Sequence, residues 1–210
     1  MNTVIENRTW RYATKKFDST KKIADSDFEQ LMESVQLSAS SYGLQPYHIL
    51  IITNKEIREQ LKQVSWGQSQ ITDASHLIVF ANQTNFDSKL IEDYLTNVSI
   101  TRNIPLENLN EYSDFMKSKL LDLPANIKST WAAKQTYIAL GNLMQAAAEL
   151  KIDTCPIEGF EADKYNIILK LNEKGLTAAV VLPMGYRSKE DQTQHYAKVR
   201  KSKENLFTYL

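Results

Sequence analysis

The chain has 210 residues, and its 25 basic and 25 acidic side chains leave a formal net charge of zero. This balance argues against a nucleic-acid binder, which needs a basic excess, and no apolar run approaches the ~20 residues that span a bilayer. A single cysteine cannot form an internal disulfide, and the first residues hold no apolar signal-peptide core. We therefore expect a cytoplasmic protein that binds neither nucleic acid nor membrane.

Apolar periodicity predicts helices that alternate irregularly with a few strands. Strands are predicted at 48–53, 76–81, 152–156 and 178–184. Helices are predicted to begin at residue 26 and at Asn54, to form two stretches within 87–122, and to span 127–150 and 163–171. No linker, repeat or low-complexity tract divides the chain, so we expect a single domain over residues 1–210. The order of elements fits an α+β fold.

Several local patterns give sharper expectations. Ser26 and Glu29 have the spacing of a capping box, which predicts that a helix begins there. The apolar strand over 48–53 is expected to be buried, and residues 137–148 are expected to be buried in the core or at a subunit interface. Gly175 could end the helix over 163–171 in a left-handed cap. The apolar end at residues 206–210 predicts a docked C-terminus.

The glycines and histidines exclude several kinds of site. The six glycines are too widely spaced for a G-x-G-x-x-G motif or a P-loop, so a Rossmann or Walker nucleotide site is not expected. The three histidines are far apart and lack metal-ligand spacing, so no metal site is expected. Cys155 lies beside an apolar strand end and is expected to be a packed thiol.

Basic residues gather near both ends of the chain. They are Arg8, Arg11, Lys15 and Lys16 near the start, and Lys198, Arg200, Lys201 and Lys203 near the end. The two groups could converge on one phosphate, which arginine grips with its planar fork. Alternatively, both could be solvated tails, and the charge pattern alone leaves the two interpretations open.

A second candidate feature is the segment 154–160, Thr-Cys-Pro-Ile-Glu-Gly-Phe. A strand end followed by Pro and Glu-Gly predicts a tight turn with exposed amides. Such amides could face an anionic or electron-rich ligand atom. An ordinary strand-to-helix turn is the alternative.

Taken in order, these segments resemble the FMN-dependent nitroreductase family, and in particular its oxygen-insensitive NAD(P)H members. The matching segments are 11–18 (Arg-Tyr-Ala-Thr-Lys-Lys-Phe-Asp), 40–48 (Ser-Ser-Tyr-Gly-Leu-Gln-Pro-Tyr-His), 73–76, 133–135, 141–142, 156–160 and 198–200. No single motif is decisive, but the ordered set is specific and covers almost the whole chain.

The resemblance implies a nitroreductase-like α+β fold, with a mostly antiparallel central sheet flanked by helices, in an intertwined homodimer. It implies FMN as cofactor and NADH or NADPH as electron donor. The implied reaction is a ping-pong, two-electron (hydride) reduction of a nitroaromatic or quinone-type small-molecule acceptor. Two alternatives remain: reduction of another substrate, such as a pterin, an enone or a halogenated aromatic, or a flavin-binding module without turnover.

The resemblance also implies roles for individual residues. By analogy Arg11, Lys198 and Arg200 hold the FMN phosphate, and Tyr12 and Ala13 belong to the same phosphate motif. Lys15 reaches the ribityl chain and the pyrimidine edge of the ring, and Gln70 lies near that edge. Pro156 and Ile157 cover one ring face, while the loop with Ser40, Ser41 and Gly43 comes from the other subunit. The backbone amides of Glu158 and Gly159, near flavin N5 and O4, are with Lys15 the implied catalytic groups.

The chain departs from the family pattern at four of these positions. Ala13 stands where the family usually has Ser, and Gly43 where it usually has Asn. Gly67 and Gln70 replace an Asn and a Lys near the pyrimidine edge. Gln70 can still form hydrogen bonds but carries no charge.

Overall fold

Four antiparallel strands form the central sheet of the computed structural model, which describes residues 3–210. They are β1 (Tyr47–Ile52), β2 (His76–Gln83), β3 (Asp153–Thr154) and β4 (Leu176–Gly185). Their order across the sheet is β1-β2-β4-β3, and every neighbouring pair is antiparallel. The predicted α+β class and antiparallel sheet are confirmed.

The helices surround this sheet. They are α1 (Thr3–Trp10), α2 (Asp25–Gln36), α3 (Lys55–Gln63), α4 (Gln70–Asp73), α5 (Ser88–Arg102), α6 (Asn110–Leu120), α7 (Ala125–Glu149), α8 (Ala162–Ile168) and α9 (Lys203–Leu206). Between residues 3 and 210, no helix is both long and apolar enough to cross a membrane.

The core lies on both faces of the two middle strands, because successive side chains of a strand point to opposite faces. On β2, Leu77 and Val79 pack on one face together with α3 and α8, whereas Ile78 and Phe80 pack on the other. Helix α7 covers that second face with a row of small and apolar side chains, Ala139, Leu140, Leu143 and Ala147. This 25-residue helix is therefore held rigidly along the sheet.

A separate apolar cluster joins α5 and α6 beside the main core. It contains Ile91 and Leu95 from α5, Met116 and Leu120 from α6, and Leu44 from the loop before β1. The two predicted helices over 87–122 are thus confirmed and form a satellite layer.

Two predictions about burial are wrong for this chain. Strand β1 is not buried but lies at the edge of the sheet, and its Ile51 is 41% exposed. The C-terminus is not docked on its own chain: Val199, Leu206, Phe207 and Tyr209 are all exposed there. On α7, Tyr137 and Ile138 also face solvent although their neighbours Thr136 and Ala139 are buried. An apolar run predicts that a segment is buried, but it does not tell whether the segment is buried by its own chain or by a partner.

Two helix-end predictions are also wrong. Helix α2 begins at Asp25, and its N-cap Ala24 makes no side-chain hydrogen bond, so the capping box at Ser26 does not form. Gly175 does adopt a left-handed φ of 65°, but it closes the short turn Asn172–Lys174, because α8 has already ended at Ile168. The predicted helix start at Asn54 is confirmed, since the Asn54 side chain caps α3 by accepting a hydrogen bond from the Ile57 amide at 2.9 Å.

Candidate functional site

The basic residues at the two ends of the chain meet beside α1. The Lys198 ammonium donates a hydrogen bond to the Arg11 carbonyl oxygen. Burial lowers the pKa of Arg11, and the nearby charges of Arg200 and Arg8 lower it further. Arg11, Lys198 and Arg200 thus form one cationic cluster, in which Arg11 is partly buried and Lys198 and Arg200 are exposed.

This cationic cluster (Arg11, Lys198 and Arg200) has the donors that an anion needs. Arg11 Nε is buried and has no hydrogen-bond partner among the described residues. Its guanidinium otherwise contacts the Met144 sulfur, at 3.9 Å from Nη2. Three cations with an unsatisfied guanidinium N–H match the charge and donor geometry of a phosphate group.

Asp191 holds the start of the chain in this position. Its carboxylate is buried and accepts hydrogen bonds from the Tyr12 hydroxyl at 2.8 Å and from the backbone amides of Lys15 and Lys16 at 2.7 and 3.1 Å. Burial raises the pKa of Asp191, but hydrogen bonds from Thr193, Lys16, Lys15 and Tyr12 outweigh it and lower the pKa to about 2. The segment 12–16 is thus fixed by one ionised carboxylate, and the Lys15 side chain remains exposed.

The same segment lies along strand β3. Ala13 and Thr154 form a parallel bridge, and the Thr14 amide donates to the Thr154 carbonyl at 3.3 Å. Since the turn 155–159 follows directly after β3, this pairing brings the cationic cluster next to that turn.

An ion pair joins β3 to the segment that follows β4. Arg187 contacts the Asp153 carboxylate through Nε and Nη2, with a shortest N–O distance of 2.6 Å, and both side chains are largely buried. The guanidinium also stacks between the rings of Trp10 and Tyr12, at 4.3 and 4.6 Å from their centroids. Such stacking suits the planar, weakly hydrated guanidinium.

The turn 155–159 presents free amides next to anchored ones. Ile157 exchanges two backbone hydrogen bonds with Val181 of β4, at 2.8 and 3.0 Å. Within residues 3–210, the amides of Glu158 and Gly159 donate to no protein acceptor. An anchored turn with two unused N–H groups is the arrangement expected for contact with a ligand atom.

Two other predicted residues of this region point inward. The Ile157 side chain is 4% exposed and packs in the core, so of the expected pair only Pro156 reaches the surface. Gln70 is also buried, beside Cys155. Burial raises the pKa of the Cys155 thiol although Lys15, Gln70 and Arg11 oppose it, so the predicted packed thiol is confirmed and lies among the site residues.

Trp66 and Gln68 border the turn on its outer side. The Gln68 amide donates to the Gly159 carbonyl at 2.8 Å and to the Ser65 carbonyl at 3.0 Å. Trp66, with a φ of 55°, is 74% exposed, and its indole occupies the space where a Cβ on Gly159 would lie. Glycine at 159 therefore lets an aromatic ring rest directly on the turn.

The loop that carries Ser40, Ser41 and Gly43 contacts other elements of its own chain. The Ser41 amide donates to the Gln135 side chain of α7 at 2.8 Å, the Ser40 hydroxyl accepts from the Gln45 amide at 2.9 Å, and Gly43 lies against Tyr94 of α5. None of these contacts is to segment 11–16 or to the turn 155–159. Two matching motifs thus have structural roles, since Gln135 supports this loop and Asn142 donates to Ser38 at 2.9 Å.

Sequence reasoning missed several residues of the site, among them Asp191, Trp66 and Tyr137, whose hydroxyl donates to the Glu158 carboxylate. No local pattern could have identified them, because each acts on a segment distant in sequence. The positive φ of Trp66, followed by Gly67, is a structural signal that only the fold reveals.

Comparison with known proteins decides the family. The family model described as "Nitroreductase family" matches residues 9–186. The chain belongs to the nitroreductase family. Among its relatives, proteins bearing the name NAD(P)H nitroreductase come from Staphylococcus epidermidis, 38% identical over 99% of this chain and 97% of the relative, and from Bacillus subtilis (YfkO), 37% identical over 89% and 90%.

Solved structures of nitroreductases show the same fold. YdfN of Bacillus subtilis superposes with a TM-score of 0.87 at 18% identity, covering 98% of each chain. A nitroreductase of Exiguobacterium sibiricum, described in complex with FMN, superposes with a TM-score of 0.84 at 19% identity, covering 99% of this chain and 97% of the other.

Proposed function

We propose that this nitroreductase-family protein is an FMN-dependent NAD(P)H oxidoreductase that reduces nitroaromatic or quinone-type acceptors by two electrons. The observation that carries the proposal is the convergence of Arg11 and Lys198, from opposite ends of the chain, beside a turn with two unused amides. The names of the relatives and the FMN complex of one structural neighbour support it.

The residues present fit FMN. Arg11, Lys198 and Arg200 would hold its phosphate, because they supply three positive charges and a buried N–H without a partner among the described residues. The segment that includes Tyr12 and Ala13 is fixed by Asp191 and positions Arg11. The exposed Lys15 ammonium would reach the ribityl chain and pyrimidine edge. Gln70, which is buried beside Cys155, would lie near the same edge.

The turn carries the catalytic contacts. When bound, FMN would supply two-electron (hydride) redox chemistry at N5 of its ring. The amides of Glu158 and Gly159 would donate hydrogen bonds at the N5 and O4 side of the ring, and Pro156 would cover one ring face. The Lys15 ammonium favours negative charge near the pyrimidine edge. Donor and acceptor use the remaining face in turn, which gives a ping-pong cycle.

We propose a homodimer in which Ser40, Ser41 and Gly43 complete the site of the other subunit. Supporting this, the loop's contacts within its own chain are not to the cationic cluster, and apolar side chains of α7 and of the C-terminal tail face solvent in the single chain. The free, buried thiol of Cys155 is compatible with the reducing cytoplasm.

The test is an FMN titration followed by an anaerobic turnover assay. We expect saturable quenching of FMN fluorescence, bleaching of the bound flavin by NADH or NADPH, and its reoxidation by a nitroarene or quinone. Bleaching with reoxidation only by an enone, pterin or halogenated aromatic would replace the acceptor class. Bound flavin that neither nucleotide bleaches would overturn the oxidoreductase proposal, and absence of saturable binding would overturn FMN binding itself.

A further inference from the structure

The Glu158 carboxylate is attached to the turn whose amides are unused, and its hydrogen bond comes from a distant helix. Tyr137 of α7 donates its hydroxyl to Glu158 Oε1. Neither residue has a role in the proposed function beyond the Glu158 backbone amide. The fixed acidic side chain at this position therefore needs a functional explanation of its own.

The supporting helix is rigid where Tyr137 leaves it. Thr136 and Ala139, on either side along the helix, are fully buried, and Leu140 is nearly so. The Tyr137 ring is 40% exposed and reaches outward from this packed base. A side chain anchored in this way holds its partner with little freedom, as the positioning of functional groups requires.

Tyr137 remains a donor at ordinary pH. Burial, together with the hydrogen bond to Glu158 and its charge, raises the pKa of Tyr137 to about 12. The Glu158 side chain is exposed, and no basic side chain within residues 3–210 forms an ion pair with it. The phenol is thus the group that holds this carboxylate in place.

We infer that Tyr137 is a positioning residue, which ties the Glu158 carboxylate to α7 and so keeps its negative charge away from the ligand side of the turn. This inference rests on the proposed function, since the ligand whose reduction the charge affects is FMN. A carboxylate released beside the turn would oppose the gain of negative charge on reduction, because like charges repel across a poorly screened site.

The inference is tested with Tyr137→Phe, Glu158→Gln and the double variant, each titrated with FMN and then poised at a series of redox potentials. The readouts are the dissociation constant for FMN, the midpoint potential of the bound flavin and its visible spectrum. Tyr112→Phe is the matched control, because Tyr112 is also 40% exposed and lies on α6.

We expect Tyr137→Phe to make the midpoint potential more negative, with about a fivefold lower ratio of reduced to oxidised flavin at a fixed potential, equivalent to ~1 kcal/mol. In the Glu158→Gln background the same substitution should have no effect, because no charge is left to hold. Tyr112→Phe should leave the potential unchanged. Glu158→Asp, which shortens the side chain and withdraws the carboxylate from the phenol, should reproduce the effect of Tyr137→Phe.

Equal shifts from Tyr137→Phe in both backgrounds, or no shift in either, would overturn the inference. Circular dichroism shows whether each variant is folded, and if Tyr137→Phe is not, Glu158→Asp decides alone. Wild-type protein that binds no FMN would instead refute the proposed function, and this outcome is visible in the first titration before any variant is compared.

Discussion

The Asp191 carboxylate accepts a hydrogen bond from the Tyr12 hydroxyl at 2.8 Å, although the two residues stand 179 positions apart. Together with the amides of Lys15 and Lys16, this contact fixes the start of the chain beside β3. One buried carboxylate thus connects the fold to the proposed phosphate site, and it gives the protein a specific response to acid.

Asp191→Asn should reduce stability at neutral pH and flatten its acid dependence. The folded-state pKa of Asp191, about 2, lies below the ordinary value of ~3.9, so its contribution is complete above about pH 4 and is lost as the pH falls towards 2. At pH 7 we expect a Tm lower by on the order of 5 °C, from the loss of charge-assisted hydrogen bonds. Thermal melts by circular dichroism between pH 7 and 2 measure both effects. Asp114→Asn, on the exposed surface of α6, is the control, and parallel pH curves for wild type and Asp191→Asn would contradict the prediction.

Arg11→Ala and Lys198→Ala should each weaken FMN binding. Losing one charged contact to phosphate costs about 1.5–3 kcal/mol, or roughly ten- to a hundredfold in Kd. Riboflavin, which lacks the phosphate, should bind wild type and Arg11→Ala with similar affinity. Fluorescence titrations with both ligands check this, with Lys203→Ala on the exposed helix α9 as control. An equal loss of riboflavin affinity would assign Arg11 to general folding rather than to the phosphate.

Asp153→Ala should be strongly destabilising. It leaves the largely buried Arg187 guanidinium without its carboxylate, which costs about 3–5 kcal/mol when a buried pair is broken. The double variant Asp153→Ala with Arg187→Ala should recover part of the loss, because no uncompensated charge remains. Urea unfolding measures the free energies. Lys89→Ala, which breaks an exposed pair with Asp93, should change the free energy of unfolding by less than about 0.5 kcal/mol.

Gly159→Ala and Gly185→Ala should differ in their effects. A Cβ at 159 overlaps the exposed indole of Trp66, which can swing away, so we expect changed tryptophan fluorescence and little loss of stability. A Cβ at buried Gly185 would lie 3.0 Å from the Ser75 backbone nitrogen and 3.2 Å from Phe17, at a cost of about 1–3 kcal/mol. Emission spectra and urea unfolding check the pair. The fluorescence change should vanish in a Trp66→Phe background, and its persistence there would show that another tryptophan has moved.

Elements with strong local patterns could be predicted from the sequence. Strands β2 and β4 are continuous apolar runs, and they are indeed the two middle strands. The edge position of β1 could not be predicted, because an equally apolar run is placed by its pairing partners rather than by its own residues. At the start of α2, a Ser-to-Glu spacing suggested a capping box, yet the helix begins one residue earlier, at Asp25.

The residues of the candidate site also differ in whether they could be predicted from the sequence. Arg11, Lys198 and the turn at Glu158 could be located because they belong to an ordered set of motifs. Asp191 and Tyr137 could not, since a carboxylate or a phenol gains its role only when folding brings it against a distant segment. The inward direction of Ile157 was equally hidden, because it depends on the bridge to Val181.

The hydrogen bond from Lys198 to the Arg11 carbonyl joins residues 187 positions apart. At a translation rate of ~5–20 residues per second, Lys198 is therefore synthesised about 10–40 s after Arg11. The sheet core can begin to form earlier, but the cationic cluster is assembled last. If the cationic cluster holds FMN as proposed, prematurely terminated chains that lack Lys198 and Arg200 should bind it more weakly, even where β4 has already joined the sheet.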